Sequence, residues 1–233
     1  MAKLYKYNEI EQVFSPERMR KYRVACSNDK HKAMTLYRYN LRLSQEMFAV
    51  VSYFEVALRN RIDSLMKDRW GNDWLRDFIL PGGAFYYDRR VDKTRKIIEK
   101  AYNELMRKGI YSHAKLLSEM EFGVWKYMFS NVQYKLSGQV LLKSFPKKPT
   151  SNAQHKYDNS YIFGELDYIN NLRNRIAHHE PICFNNKVEK DTAYVRNRHK
   201  RMMTLFEWMG LDGEALLYGL DHCGKVWKQI DNL

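Results

Sequence analysis

Residues 44–66, SQEMFAVVSYFEVALRNRIDSLM, are the stretch that decides the fold class. Apolar residues recur in it at spacings of three and four, which is the period of a helix with one buried face. This stripe consists of Phe48, Val51, Phe54, Leu58, Ile62 and Leu65. Because Ser44 is a suitable N-terminal cap, the pattern predicts a helix that runs from Ser44 to about Met66.

Helical spacing dominates the rest of the chain as well, and no clear alternation of apolar and polar residues predicts a strand. Ser15-Pro16-Glu17 is a good helix start because proline is favoured at the first helical position, and this helix is predicted to end at about Cys26. Asn28 or Asp29 can cap a second helix ahead of Ser44. Further helices are predicted at about 89–108, 160–179 (stopped by Pro181), 191–208 and 212–220, followed by a short tail. Ser112 or Ser118 opens helical material through Phe129, with a break near Gly123, and another segment continues to about Leu142.

No linker divides the chain, so residues 1–233 are predicted to form one all-α domain. Residues 143–159 contain two prolines, several lysines, Ser and Asn, a composition typical of a mobile basic loop. Residues 70–88 contain two tryptophans and Pro-Gly-Gly, and we interpret them as a loop anchored by its aromatic side chains.

The composition excludes several classes of protein. The 17 Tyr, 11 Phe and 5 Trp are too many for a disordered chain, and 233 residues can bury a sizeable core. Lys and Arg number 40 against 27 Asp and Glu, which gives a net charge of +13. A protein with this charge attracts polyanions, which include RNA, DNA, anionic membranes and acidic proteins.

The cysteines and the apolar segments indicate the compartment. Three scattered cysteines are too few for a disulfide framework and fit a reducing cytosol. The first seven residues show no apolar leader, and the most apolar windows, 48–58 and 136–142, are far shorter than the roughly 20 residues that cross a bilayer. We therefore predict a soluble cytoplasmic protein without membrane contact.

One pentapeptide, Leu-Arg-Asn-Arg-Ile, occurs twice, at Leu58–Ile62 and Leu172–Ile176. In both copies Leu and Ile lie on the apolar stripe of a predicted helix, and Arg-Asn-Arg projects from its other faces. The first copy continues into Asp63-Ser64, whereas the second continues into Ala-His-His-Glu-Pro at residues 177–181. Imidazoles therefore follow only the second copy, and the repetition predicts a polar cluster shared by two central helices.

The spacing in the second copy places a guanidinium near an imidazole. Asn174 and His178 share a helix face because they are four residues apart, as are Arg175 and His179. Arg173 lies about 140° around the helix from His178. Its long side chain can reach a phosphate held by His178, most easily where two copies of the helix face each other.

These groups are suited to cutting RNA. A guanidinium binds phosphate oxygens bidentately and stabilises the charge that gathers there. An imidazole can take a proton from the ribose 2′-hydroxyl or give one to the leaving oxygen. The nucleophile comes from the RNA, so no metal is needed and DNA should resist. The alternative is a structural role, because Arg and Asn also satisfy helix ends and the helix dipole favours His near a C-terminus.

Five runs of residues carry a family resemblance, at 15–25, 33–44, 54–60, 121–125 and 172–182. The third run has the sequence FEVALRN, similar to a LEVALRN run, and the fourth, EFGVW, is similar to an FGxW stretch. In the second run Tyr39 stands where Trp is common. Through these runs, in this order and spacing, the chain resembles the Abi-like (abortive infection) proteins of bacteria, within the HEPN superfamily.

The resemblance implies a HEPN-like helical bundle, often a homodimer, with an Rx4-6H motif that Arg173 to His178 fits with four residues between. Many members with this motif are metal-independent endoribonucleases. Carried over, His178 would be the general acid or base and Arg173 would stabilise the phosphate. Asn174 would orient one of them and His179 would assist. The Abi-like name implies phage defence by growth arrest, with an antitoxin as a possible partner.

Residues outside this motif are predicted to support it. Glu55, Arg59 and Asn60 would hold the Arg173–His178 segment from behind, although Glu55 and Arg59 can also form an ordinary intrahelical ion pair. The predicted RNA-binding residues are Arg175, Lys147, Lys148, Arg196, Arg198, Lys200 and Arg201. Any single run of basic residues can instead be an ordinary solvent-exposed helix face. Because the net charge is strongly positive, RNA binding is favoured for these residues taken together.

No metal or cofactor is predicted. His178, His179, Glu180 and Cys183 offer ligand types, but adjacent histidines on a helix point apart, and HExxH and CxxC are lacking. The sequence thus predicts a metal-independent endoribonuclease that leaves 2′,3′-cyclic phosphate ends. Some HEPN proteins have lost activity, so the alternative is a non-catalytic RNA-binding or regulatory module, for example one bound to a structured noncoding RNA. A bundle that binds only proteins is the third possibility.

Overall fold

In the computed structural model, residues 5–233 are described, and they confirm the predicted all-α class. The helices are α1 Tyr7–Phe14, α2 Pro16–Ala25, α3 Lys30–Trp70, α4 Trp74–Asp77, α5 Asp92–Arg107, α6 His113–Ser118, α7 Phe122–Tyr127, α8 Asn131–Leu136, α9 Asn159–Ala177, α10 Ala193–Trp208, α11 Gly213–Leu216 and α12 Cys223–Asp231. Short 3-10 turns lie at Arg89–Val91 and Leu141–Ser144. Within these residues the only β-type pairing is a single bridge between Phe184 and Lys190.

The described chain divides into two compact units. The first contains the residues up to Ser52 together with Asn171–Met203 and Glu214–Leu233, and the second contains Tyr53–Asn170 and Thr204–Gly213. Helices α3, α9 and α10 each contribute residues to both units. A single domain over 1–233 stays a prediction.

Helix α3 is a single helix of 41 residues, where the sequence pattern predicted two. Ser44 was predicted to cap the later of these two helices, but α3 continues through it. The reason is that no Pro or Gly interrupts this stretch and that Leu43 and Met47, on either side of Ser44, are both fully buried. Phe48 was predicted to face the core but is 51% exposed, because Met47 and Val51 occupy the neighbouring buried positions.

In the first unit, the core forms where aromatic side chains of α2 and α3 meet the segment after α9. Tyr22 packs edge-on against Tyr37 at 5.1 Å and against Phe184 at 5.0 Å between ring centroids. Other fully buried side chains in this unit include Met19, Leu36, Leu43, Met47, Leu172, Ile182, Val195, Met202, Cys223 and Ile230.

In the second unit, Phe54 of α3 packs edge-on against Phe206 of α10, with ring centroids 5.3 Å apart. The predicted aromatic-anchored loop at 70–88 is confirmed. Phe78 lies between Trp74 at 5.6 Å and Phe85 at 5.1 Å, and the loop also contains the one-turn helix α4. Gly83 approaches the backbone so closely that a Cβ there would lie 2.0 Å from the carbonyl oxygen of Asp77.

The ends of the chain contain more helix than was predicted. Helix α1 was not predicted, and α11 is a single turn rather than a helix to Leu220. Only a short tail was predicted after Leu220, but this part of the chain contains α12. The buried face of α12 consists of Cys223, Val226 and Ile230, at spacings of three and four. This pattern is hard to recognise in the sequence because the helix has only nine residues and a Gly in its first turn.

The predicted mobile loop at 143–159 has specific contacts. The amide of Lys147 donates to the carbonyl of Trp208 at 2.9 Å, and the amide of Tyr157 donates to Ser151 Oγ at 2.9 Å. The Tyr157 ring packs edge-on against Trp208 at 5.5 Å. Within residues 5–233, no helix combines the length and the apolar character needed to cross a bilayer.

Candidate functional site

The end of α9 is shaped by a residue in the left-handed region of backbone space. Helix α9 ends at Ala177, and His179 has a φ of +56°. The amide of Glu180 then donates to the carbonyl of Arg175 at 2.8 Å, and the amide of His179 donates to that of Ile176 at 3.0 Å. This pattern satisfies the last helix carbonyls, and it stops the helix before Pro181, which was predicted to stop it.

Two other helices of the first unit hold the backbone beyond α9. The guanidinium of Arg18, on α2, donates to the carbonyl of His179 at 2.7 Å. Asn40, on α3, is buried, and its Oδ1 accepts a hydrogen bond from the amide of Ile182 at 2.9 Å. The backbone that follows His178 is therefore fixed at two points, His179 and Ile182, by long-range contacts.

The predicted catalytic residues belong to the last turns of α9 and to the turn that follows it. Arg173 and Asn174 are half-buried, whereas His178 and His179 are exposed. Within residues 5–233, none of these four side chains has a hydrogen-bond or ion-pair partner. They are therefore accessible to an outside ligand, and cationic groups at a helix C-terminus are stabilised by the helix dipole.

Arg175 of the same motif is engaged within the protein. It donates to the carbonyl of Pro181 and lies 3.5 Å from a carboxylate oxygen of Glu180. Its guanidinium also lies 4.8 Å from the ring centroid of Tyr194, whose ring contacts the Arg198 guanidinium at 3.6 Å. Arg175 thus links the turn to α10 through a cation–π stack, and its predicted contact with RNA stays a prediction.

The first copy of the pentapeptide lies in the second unit, in the middle of α3. Leu58 and Ile62 are fully buried, as the stripe predicted, while Glu55 and Arg59 are half-buried and Asn60 is exposed. Arg59 Nε is buried and lacks a hydrogen-bond partner within the described part of the chain. Support of the Arg173–His178 segment by these residues stays a prediction.

The residue after this copy, Asp63, has a role that the sequence did not suggest. Its carboxylate accepts hydrogen bonds from Trp74 Nε1 at 2.9 Å and from His113 Nε2 at 2.6 Å, and Lys67 Nζ lies 2.6 Å away. Burial alone would raise the pKa of Asp63, but the hydrogen bonds from Lys67, Trp74 and His113 outweigh burial and lower it. The first copy therefore leads into a structural anchor and the second into accessible imidazoles.

The predicted RNA-binding residues fall into two groups. Lys147 is exposed and Lys148 half-buried, both in the second unit; Arg196, Arg198, Lys200 and Arg201 follow one another along α10 in the first unit. Arg196 forms an ion pair with Asp231 and donates to Thr192 Oγ1 at 2.9 Å. The charge of Arg196 is thus partly compensated.

A second cluster of chemistry-bearing side chains was not predicted. His199, Asp221 and Cys223 each offer one ligand atom, and these three atoms lie within 4.8 Å of one another. Among residues 5–233 this is the one group of three such side chains that is close enough to hold a metal ion. In the sequence, only the Asp-x-Cys spacing of Asp221 and Cys223 indicated this cluster, because His199 lies on another helix.

The fold and the site define an all-α protein whose accessible Arg–His pair lies at the end of one helix. The chain belongs to the Abi-like protein family, whose model matches residues 3–183. No curated protein and no solved structure matches the chain significantly. The match includes the whole Arg173–His178 segment and ends before α10, α11 and α12.

Proposed function

We propose that this protein is a metal-independent endoribonuclease of the HEPN Rx4-6H type. It acts in abortive infection, the defence against phage to which the family name refers. One observation carries the proposal: Arg173 and His178 are accessible, lack partners within residues 5–233, and lie at a helix end whose following backbone is held by Arg18 and Asn40.

In the proposed reaction the RNA supplies its own nucleophile. His178 accepts the proton of a ribose 2′-hydroxyl, and this oxygen attacks the adjacent phosphorus. Arg173 binds the non-bridging oxygens and stabilises their growing charge. The bond from phosphorus to the 5′-oxygen breaks, and that oxygen takes a proton from an imidazolium or from water. The products are a 2′,3′-cyclic phosphate and a 5′-hydroxyl, and Asn174 and His179 assist in orienting the reacting groups.

The proposal includes a homodimer in the cytoplasm. Arg173 and His178 point in directions about 140° apart on one helix. Two facing copies would let the guanidinium of one protomer meet the imidazole of the other at a single phosphate. An antitoxin is the class of partner that would restrain such an activity.

The test compares one RNA with DNA of the same sequence, in buffer that contains EDTA. Wild type should cut only the RNA and leave 2′,3′-cyclic phosphate ends, and His178→Ala and Arg173→Ala should each lose cleavage. His31→Ala and Arg107→Ala are matched controls, since both residues are exposed on other helices. Equal cleavage by wild type and all variants, or cleavage of the DNA, would contradict the proposal.

A non-catalytic RNA-binding module is the second candidate. The cation–π stack of Arg175, Tyr194 and Arg198 favours it, because these residues form a cationic aromatic surface beside the helix end. Such a surface can bind RNA, for example a structured noncoding RNA, without cutting it. RNA that copurifies with the protein, and binding that weakens steeply with salt while no product forms, would favour this candidate over the enzyme.

A further inference from the structure

A nitrogen, an oxygen and a sulfur ligand converge in the first unit, apart from the Arg173–His178 segment. His199 lies on α10, Asp221 precedes α12, and Cys223 is the first residue of α12. His199 Nε2 lies 2.5 Å from Asp221 Oδ2, and Cys223 Sγ completes a set whose members are within 4.8 Å of one another. Three different types of metal-ligand atom thus lie close together, contributed by α10 and by the start of α12.

The surroundings of this cluster restrain its members. The side chain of Cys223 is fully buried, and those of His199 and Asp221 are 17% and 21% exposed. Asp221 Oδ1 accepts a hydrogen bond from the amide of Cys223 at 3.0 Å, which leaves Oδ2 directed at the imidazole. The ring of Trp227 packs edge-on against His199 at 5.4 Å and so limits the rotation of the imidazole.

One further observation fits a metal ion. A second sulfur atom, Met47 Sδ, lies 3.3 Å from Cys223 Sγ, so the cluster has a soft-ligand side.

We propose that His199, Asp221 and Cys223 bind a divalent metal ion, for which Zn²⁺ is the best fit. Imidazole nitrogen, carboxylate oxygen and thiolate sulfur are the ligands that Zn²⁺ takes in proteins, and three protein ligands leave the fourth position to water. The sulfur ligand disfavours Mg²⁺ and Ca²⁺, which require oxygen.

The rearrangement needed for binding is small. At tetrahedral angles, two ligand atoms each about 2.0–2.1 Å from Zn²⁺ are about 3.3 Å apart. His199 Nε2 and Asp221 Oδ2 must therefore separate by less than about 1 Å. Cys223 Sγ, which lies within 4.8 Å of both atoms, must come to about 3.6 Å from them, an approach of at most about 1.2 Å. The Cys223 thiol releases its proton to the solvent as the metal–sulfur bond forms.

The proposed ion would connect α10 to the start of α12. Its ligands lie beyond residue 183, where the family match ends, and none of them belongs to the Arg–His motif. The site is therefore separate from the proposed catalytic residues. It makes no demand on the RNA chemistry, and it can be tested whether or not the protein cuts RNA.

The test uses the full-length protein, freed of metal by a chelator and titrated with Co²⁺. Wild type should bind one Co²⁺ per chain, with thiolate-to-cobalt charge-transfer absorption and tetrahedral d–d bands that Zn²⁺ abolishes. Cys223→Ser should lose the charge-transfer band, and His199→Ala and Asp221→Asn should weaken binding at least about tenfold. Cys26→Ser is the matched control, because it removes another buried thiol of the same unit and should keep the band.

A measurement on the unaltered chain covers the case in which the variants fail to fold. Zn²⁺ should raise the Tm of wild type, and a chelator should reverse the shift. No charge-transfer band, or a Tm that ignores Zn²⁺, would leave the cluster as a hydrogen-bonded group and overturn the proposal. Because EDTA would also strip this site, the RNA assay is repeated with Zn²⁺-loaded protein in buffer without chelator.

Discussion

Arg18 and His179, 161 residues apart in the chain, are joined by a hydrogen bond of 2.7 Å from the guanidinium of Arg18 to the main-chain carbonyl of His179. This contact connects α2 to the turn after α9 and involves no reacting group. In the proposed enzyme, Arg18 would therefore position the imidazoles. A hydrogen bond from a charged donor to a carbonyl is typically worth about 1.5–3 kcal/mol.

Arg18→Ala should slow RNA cleavage by about tenfold, which corresponds to about 1.4 kcal/mol. The loss should fall on kcat rather than KM, because the RNA still binds while the imidazoles are less well placed. Arg18→Lys should restore part of the rate. Arg20→Ala removes an exposed arginine from the same helix and should leave the rate unchanged; an equal loss there would show that only the net charge matters.

The left-handed backbone at His179 separates the role of its main chain from that of its imidazole. His179→Gly should keep or slightly raise stability, because Gly is favoured at this position of a helix end. His179→Val should lower the free energy of unfolding by about 1–2 kcal/mol. Urea denaturation measures both effects. Cleavage by the stable Gly variant then shows how much the imidazole assists, and a Val variant as stable as wild type would contradict the assigned backbone strain.

The composite-site part of the proposal predicts complementation between two inactive proteins. If Arg173 of one protomer acts with His178 of the other, mixed dimers of Arg173→Ala and His178→Ala contain one intact site. Random exchange should then restore about a quarter of the wild-type sites. The rate of RNA cleavage after mixing and re-equilibration measures this recovery. A monomer at micromolar concentration, or an inactive mixture of dimers that do exchange, would exclude the composite site.

Asp63 should make stability depend on pH. Its folded-state pKa lies below the unfolded value, so its contribution is present above the unfolded pKa of about 3.9 and is lost as the pH falls through the folded value. Asp63→Asn should lower the free energy of unfolding at neutral pH by about 1–3 kcal/mol and flatten its decline in acid. Denaturation curves from neutral to acidic pH measure this. Asp68→Asn, an exposed neighbour on α3, should do neither.

The sequence predicted the helices whose buried face repeats over several turns. Leu58, Ile62 and Leu172 are fully buried as their spacing indicated, because helical periodicity is encoded locally. The prediction that Ser44 caps a helix was wrong, because a serine in the middle of a helix cannot be distinguished by residue type from a serine at its N-terminal cap. The four motif residues share one helix end because they are close in sequence, and their role as a catalytic site stays a prediction.

The remaining contacts depend on residues far apart in the chain. Arg18 with His179, Asn40 with Ile182, and His199 with Asp221 each join different elements, and no local spacing encodes such a meeting. Asp63 likewise has two of its partners, Trp74 and His113, outside its own helix. Such pairs are determined by tertiary packing.

All three cysteines are buried and belong to the first unit, whereas four of the five tryptophans, at positions 70, 74, 125 and 208, belong to the second. The protein therefore carries a separate built-in reporter for each unit. A thiol-reactive dye follows the opening of the first unit, and indole fluorescence mainly follows the second. Coincident denaturation curves from the two probes would identify one cooperative folding unit, and separated curves would reveal an intermediate with one half already open.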